Sequence, residues 1–431
     1  MIYDFRSRQK ADSPTGEFTI SDSKISKCQQ CFRLKFSFQT MLFIAIFIFI
    51  SYAAFSQKVE LFGYFESQVM GADIKNEFYQ LYSNKLRMDL KSGLSDKITF
   101  GANFDYITYH GKTTWNILDF LSSDITSTVP RGMESFYIIP FSNRNFLDNV
   151  YVKVAFKHFD MTVGKQQISV GTGYVWNPTD VFNIKDVLDP TYEQPGHNAM
   201  RLDLPIGTRY NFMALYSPED TWQNSAKLLQ FKGRIAHFDY SLIAIEKIWR
   251  FHNYTKFDLV KMNFAELPEK RQLVGASTAG ELLGLGFWAE YGYNKMEKSK
   301  DFYELVVGSD YTFDFQTYIM IEYYRNTLGK TDYKNYDLND WMRLFAMEQK
   351  AISRDQVYSF IQHPITDFIQ LGLSSIYSIS DNSLAIVPTL NYSFSQNMEI
   401  LAYLNFNFGK DGTAYSKLQG NGGLVRARVY W

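Results

Sequence analysis

Downstream of Gln57 the chain is written in segments of about ten residues in which apolar and polar side chains alternate one for one, the period of a β-strand with two unlike faces. In residues 79–92, Tyr82, Leu86, Met88 and Leu90 share one face while Lys85, Arg87, Asp89 and Lys91 share the other. Residues 149–158 repeat the pattern, with Val150, Val152, Val154 and Phe156 opposite Lys153 and Lys157, and residues 200–204 do so with Met200, Leu202 and Leu204 opposite Arg201 and Asp203. A soluble sandwich would have to bury one of those faces. A barrel in lipid buries neither: the apolar face meets hydrocarbon and the polar face lines a wet lumen.

Alternation and turn residues divide the chain into eighteen predicted strands, at 58–69, 79–92, 97–110, 149–158, 161–174, 199–205, 208–216, 225–236, 238–249, 271–278, 283–294, 302–312, 316–327, 355–363, 367–378, 383–394, 398–408 and 422–431. The connections alternate long and short from the first strand onward, as in 70–78 then 93–96, 111–148 then 159–160, and 175–198 then 206–207. Transmembrane barrels have long external loops and short periplasmic turns. The expected fold is therefore all-β, a transmembrane antiparallel up-and-down β-barrel of about 18 strands with both ends of the chain on the periplasmic side. Composition agrees: aromatic residues make up 17% of the chain although its mean hydropathy is only -0.24. Even mixing of polar and apolar residues, with aromatic girdles at two interfaces, produces that combination.

The one strongly apolar run, Met41 to Ala54, is short for a spanning helix of about twenty residues and fits the core of a signal peptide. Arg33 and Lys35 precede it and Ala54, Phe55 and Ser56 follow, which predicts cleavage near Ser56 and Gln57. Residues 1–56 then form a leader, residues 57–431 the barrel, and residues 1–34 read as the product of an upstream start codon. Cys28 and Cys31 fall in the leader, so the mature barrel has no thiol and no disulfide, and a redox or zinc role for the pair lacks a surrounding fold. The mature part carries 37 basic against 41 acidic residues, a balance that offers nucleic acid no general attraction.

Residues 422–431 alternate to the last position and end on Trp431. This segment resembles the C-terminal signal that the outer-membrane assembly machinery recognises in barrels, so that machinery and outer-membrane lipid are the expected partners. A barrel this wide encloses water. Alternation turns Lys85, Arg87, Lys91, Lys153, Lys157, Arg201, Arg209, Lys232, Arg234, Arg426 and Arg428 inward, together with Asp105, Glu290, Glu304, Asp310, Glu322 and Glu399. The bases lie mostly on the early strands and the last one, most of the acids in the second half, so one wall is expected to be basic and the other acidic. The longest external connection, 111–148, is the expected constriction, with Trp115 to Leu121 as a short amphipathic turn of helix and Arg131, Glu134, Arg144 and Asp148 as its charges.

One stretch is more than periodic. Gly164, Lys165 and Gln166 run into Gly171 and Gly173, then Trp176, Asn177, Pro178 and Asp180, with Asp189, Pro190, Glu193, Pro195 and Gly196 beyond. It resembles a strand and loop of porin-like outer-membrane barrels, including those related to alginate exporters, in which a Gly-Arg-Gln strand leads into a Trp-Asn-Pro-x-Asp loop; Lys165 stands here where that pattern has arginine. The resemblance implies a channel, and the turn-forming residues imply a loop fixed to the wall.

The function expected is passive passage of small polar or charged solutes across the outer membrane, with no cofactor and no metal, in a chain open to homo-oligomer formation. A structural or assembly barrel and a polysaccharide exporter are the alternatives. A membrane-embedded hydrolase is the enzyme alternative, with His110 and the serine-rich 122–127 segment as its first candidates, although no nucleophile motif accompanies any histidine. Asp337, Asn339 and Asp340 offer calcium ligands without the spacing of a calcium loop, and are expected to be solvated.

Overall fold

The computed structural model describes residues 59–75, 77–185 and 193–431; the expected leader and its cleavage site lie outside the described residues. The strands are β1 (Val59–Ile74), β2 (Glu77–Ser95), β3 (Ile98–Gly111), β4 (Thr114–Asn116), β5 (Ile138–Pro140), β6 (Arg144–Ala155), β7 (Asp160–Gln167), β8 (Gly196–Ile206), β9 (Tyr210–Ser217) and β10 (Ala226–Ile235). They continue with β11 (Phe238–Asp258), β12 (Asn263–Leu282), β13 (Leu285–Met296), β14 (Phe302–Thr312), β15 (Tyr318–Asn326), β16 (Asp355–Pro364), β17 (Ile369–Ser378), β18 (Ser383–Ser395), β19 (Met398–Phe408) and β20 (Asn421–Tyr430). The short β4 and β5 form a separate hairpin, and the other eighteen make one sheet. Each wall strand pairs antiparallel with the next, and β20 returns to β1 from Tyr64↔Tyr430 to Asp73↔Asn421, so the sheet closes on itself. Closure removes both edges, which is what lets a sheet stand in hydrocarbon.

The faces follow the alternation. On β19, Leu404, Phe406 and Phe408 are exposed on the outside while Asn407 between them is buried. Leu371 and Leu373 on β17, Val274 on β12 and Val425 on β20 are exposed in the same way. Connections at one end of the barrel are two to five residues long, while the other end carries 112–143, 168–195 and 327–354. That sidedness matches the expected periplasmic turns and external loops.

Four connections differ from expectation. The first, 70–78, expected to be long, shrinks to 75–76 because β1 runs on to Ile74 and β2 starts at Glu77. The predicted strand 161–174 stops at Gln167, and the chain turns away from the wall through Gly171, whose φ of +91° suits glycine. Residues 144–148, expected in a loop, begin β6. The region 250–270, also expected as a loop, is almost all strand: β11 and β12 run for 21 and 20 residues and turn only at 259–262. At about 3.4 Å per residue this ribbon is far longer than a membrane-spanning strand needs, so its outer part stands clear of the bilayer.

The long loops build a second core at the external end. Trp115, Phe120 and Leu121 from 112–143, Tyr254 and Phe264 from the tall ribbon, and Trp341, Met342 and Phe345 from α1 (Leu338–Phe345) pack together, with Tyr254 and Met342 fully buried. Ile117–Phe120 is a single 3-10 turn that buries Leu118 and Phe120, as its amphipathic pattern predicts. The helix α1 starts on a capping box in which the Asp337 carboxylate accepts from the Asp340 N–H and the Asp340 carboxylate from the Asp337 N–H, both at 2.9 Å. Asp340 also pairs with Lys330, and Asn339 accepts from the Tyr254 N–H at 2.7 Å, so this triplet is a helix start rather than a solvated loop. Nearby, the Glu348 carboxylate takes the His252 N–H at 2.9 Å, the His252 ring Nδ1 at 2.7 Å and the Tyr254 hydroxyl at 2.8 Å, which ties the ribbon to the helix loop.

Candidate functional site

The segment after β7 determines the shape of the lumen. Its backbone lies on the inner wall of β13 and β15, held by two buried carboxylates. Glu290 accepts from the N–H of Thr172 at 2.6 Å, Gly173 at 3.0 Å and Thr179 at 2.6 Å. Glu322 accepts from the N–H of Tyr174 at 2.7 Å, Val175 at 3.0 Å and Trp176 at 2.9 Å, and from the Trp288 indole at 2.7 Å. Charge-assisted bonds of this kind are roughly twice as strong as neutral ones. Within the loop, Asp180 accepts from the N–H of Phe182 at 2.8 Å and of Asn183 at 2.9 Å, the Asx-type turn its composition suggests. Lys350 donates to the Asn177 carbonyl at 2.6 Å and lies 3.2 Å from Glu304, while Lys247 donates to the Val181 carbonyl at 2.9 Å. The Trp176 ring stacks on Tyr324, centroids 4.9 Å apart.

Glu193, at the other end of this connection, lies on nearly the opposite wall. It accepts from the Tyr64 hydroxyl at 2.5 Å and Lys85 at 2.6 Å, and lies 3.2 Å from Arg428 and 3.5 Å from Arg87. Burial alone would raise its pKa, but Lys85, Tyr64 and Arg428 outweigh burial and hold it down at about 2. Around it, Arg87 contacts Asp89 at 3.0 Å, Asp105 and Asp148 both at 3.5 Å, and Arg428 contacts Glu66 at 2.6 Å. Arg426 reaches Glu399 at 3.1 Å. Beside this cluster lies a charged cavity of about 150 Å³, lined by Lys85, Arg87, Arg144 and Arg428 against Glu66, Asp105, Asp148 and Glu193.

A second cavity, about 200 Å³, lies above it toward the external loops and shares Met70, Phe141 and Tyr403 with it. Its walls are the aromatic and aliphatic side chains of the loop core, the Trp176 face of the inner segment, and Asn405 and Asn407 of β19.

The predicted lumen residues therefore separate into groups. Lys85, Arg87, Arg426, Arg428 and Glu399 come together in the charged cluster. Glu290 and Glu322 grip the inner segment, and Glu304 joins Arg271, Lys350 and Tyr324 in a buried network. Asp310 accepts from the Tyr318 hydroxyl at 2.8 Å. Lys153, Arg201 and Arg234 pair locally with Asp160 at 2.8 Å, Asp203 at 2.7 Å and Asp239 at 2.6 Å. Lys91 and Lys232 are exposed toward the short-turn end, where Lys157 and Arg209 sit in the turns themselves. The basic and acidic rows do not face each other across open water, because the inner segment covers the acidic one. In the loop 112–143, expected to form the constriction, Arg131 and Glu134 are exposed, whereas Arg144 and Asp148 belong to β6 and line the charged cavity. The segment pinned within the lumen is 168–185, carrying Trp176, Asn177, Pro178 and Asp180. Sequence reasoning assigned inward faces to Glu290 and Glu322 but no partner; the clue available was the turn-rich Gly171 to Asp180 run. At the residues that the hydrolase alternative would use, His110 pairs in register with Tyr82, and the Ser127 hydroxyl is spent on the Asp124 carbonyl at 2.8 Å.

No family model matches the chain, and no curated protein matches it. Among solved structures it is similar to OccAB1 of Acinetobacter baumannii, at TM-score 0.57 and 10% identity over 86% of this chain and 96% of that one. OccK5 (OpdH) of Pseudomonas aeruginosa gives TM-score 0.53 and 10% identity over 87% and 97%, and OccAB2 of A. baumannii 0.53 and 9% over 87% and 98%. At such identities the likeness is one of fold: a closed antiparallel barrel with an apolar outer face, the architecture of the bacterial outer membrane.

Proposed function

We propose that the protein is an outer-membrane channel through which small polar or charged solutes pass down their gradient. The observation that carries this reading is the pair of adjoining cavities inside the closed wall, one bordered by the external loops and the next lined by four bases and four acids. A filled structural barrel has no use for a narrow, charge-lined passage beside a pinned loop, whereas a selective channel requires one. Lys85, Arg87, Arg426 and Arg428, with Glu66, Glu193 and Glu399, would meet the solute at the narrow point. The remaining lumen bases, Lys153, Arg201, Lys232 and Arg234, would line the exit toward the short turns. Biogenesis would proceed through the barrel-assembly machinery, which reads the last strand and Trp431.

Single-channel recording of the refolded barrel in a planar bilayer tests the proposal. Steady open steps are expected, with weak ion selectivity because the cluster is charge-balanced; a folded barrel that passes no current overturns it. Outward passage of a polysaccharide is the second reading, motivated by the resemblance of residues 164–196 to alginate exporters. It predicts that an anionic oligosaccharide blocks the current in a concentration-dependent way.

A further inference from the structure

The charged cavity presents one of its ion pairs to the lumen. Lys85 and Glu193 meet at 2.6 Å with side chains 16% and 34% exposed, whereas Asp105 and Asp148 on the same cavity are only 3% and 7% exposed. Lys85 spends one of its three donors on Glu193, and Asp105, at 3.7 Å, is beyond hydrogen-bond reach. Glu193 accepts from Tyr64 at 2.5 Å, Lys85 at 2.6 Å and Arg428 at 3.2 Å, and a carboxylate has about four places for such bonds. Donor and acceptor capacity therefore remain side by side on the exposed pair. Two neighbouring bases are matched behind it, Arg87 by Asp89 at 3.0 Å and Arg428 by Glu66 at 2.6 Å.

An apolar wall begins at the same level. Lys85 on β2 stands opposite Ile107 on β3, and cross-strand partners bring their Cβ atoms within about 5 Å of each other. Ser83, the next inward residue of β2, stands opposite Tyr109, one step of about 7 Å along the strands. The Tyr109 ring packs on Phe141, centroids 5.7 Å apart, and Ile107, Tyr109 and Phe141 all line the cavity that holds the ion pair. Its volume of about 150 Å³ matches a space that holds benzene, and the outer chamber, which shares Phe141 with it, gives a longer side chain room.

We infer that this cavity is a subsite for an apolar α-amino acid in its zwitterionic form, whose carboxylate accepts from Lys85, whose ammonium donates to Glu193 and whose side chain lies on Ile107, Tyr109 and Phe141. The inference rests on the channel reading and deepens it by naming a solute class. An α-amino acid carries its two charges on groups joined to one carbon, so its dipole is short and pairs head to tail with the equally short dipole of Lys85 and Glu193. A solute with a single charge satisfies one member of the pair and adds a net charge to a lining of four bases and four acids. A peptide holds its terminal charges further apart and fits the pair less well.

Equilibrium dialysis of L-phenylalanine against the refolded full chain in nanodiscs tests it, with empty nanodiscs as the blank. One saturable site per barrel is expected at pH 7. Phenylpropanoate, which lacks the ammonium, and phenethylamine, which lacks the carboxylate, should each compete about tenfold more weakly, as should glycine, which lacks the side chain. Lys85→Met should weaken phenylalanine about tenfold and leave phenethylamine the better of the two singly charged probes. Glu193→Gln should weaken it as much and favour phenylpropanoate. Opposite preferences in the two variants are a result that general loosening of the cavity does not give. Lys85 lies on a wall strand and Glu193 on a connection, so either variant stays readable where the other fails to fold. Tyr109→Ala should narrow the gap between phenylalanine and glycine. Binding no greater than in empty nanodiscs, a singly charged probe competing as well as phenylalanine, or an unchanged preference in the folded variants overturns the assignment. A barrel that conducts ions without binding phenylalanine sinks this inference alone; one that binds it without conducting sinks the channel reading and leaves the subsite standing.

Discussion

Replacing Glu322 by glutamine should free one part of the inner segment and leave the rest in place. The carboxylate takes three backbone N–H groups and the Trp288 indole, at 2.7 to 3.0 Å. At roughly 1.5 kcal/mol for each bond to a charged acceptor, the four sum to about 6 kcal/mol. A neutral amide retains one oxygen and lumen water replaces some of the rest, so about half, 3 kcal/mol, is the expected loss, or about a hundredfold in the detached population. Amide hydrogen exchange in nanodiscs reads this residue by residue. In Glu322→Gln the amides of Tyr174, Val175 and Trp176 should exchange about a hundredfold faster, while those of Thr172, Gly173 and Thr179, bound to Glu290, change much less. Glu290→Gln should give the reciprocal pattern. Uniform acceleration across the loop and the strands β13 and β15 would mean that the wall itself had loosened, and no acceleration would mean that the carboxylates do not hold the segment; either result refutes the reasoning.

The Glu193 carboxylate, held at about pKa 2 against an ordinary 4.5, contributes anchoring that is complete above pH 4.5 and lost only as pH falls through about 2. Open-channel noise at pH 7 should therefore be low in the wild type and clearly higher in Glu193→Gln, in which the anchor has lost its charge. Gly173→Ala should displace the inner segment, because an added Cβ would sit 1.8 Å from the Trp176 carbonyl oxygen, and exchange at 172–179 should report it. Glu348→Ala removes the acceptor shared by His252 and Tyr254 and should cost the external loop core about 2 to 3 kcal/mol. Faster proteolysis within 327–354, with the heat-resistant migration of the barrel retained, is the expected result.

Much of the wall was legible in the sequence because a strand with lipid on one side and water on the other must alternate, and residues 79–92 or 149–158 have no other way to satisfy both solvents. Face assignment was legible for the same reason, and it brought Lys85, Arg87, Arg426 and Arg428 into one cluster once closure placed β20 beside β1. Partner assignment was not. Glu290 and Glu322 have the alternation of lumen-facing acids whether they meet water or a loop, and the donors they hold are backbone N–H groups with no side-chain signature. The tall β11–β12 ribbon was missed because beyond the bilayer its two faces no longer meet different solvents: Tyr254, Phe257 and Phe264 pack on the loop core, and the period fades. The lining of the external chamber is gathered from several loops and strands by three-dimensional packing and has no counterpart in sequence pattern.

The seam between β1 and β20 joins Tyr64 to Tyr430, and the Trp431 N–H still reaches the Gly63 carbonyl at 3.2 Å. Nearly the whole length of the folded chain separates the two strands that must meet last. Such a contact has the highest sequence separation the protein can offer, and pairings of that kind are intrinsically slow to form. A polypeptide cut back to Gly420 would leave β1 and β19 without the strand that joins them, and two open edges cannot be carried into hydrocarbon. Insertion is thus conditional on the final ten or so residues: a nascent chain stalled short of them has every other strand of the wall and still no membrane-compatible state.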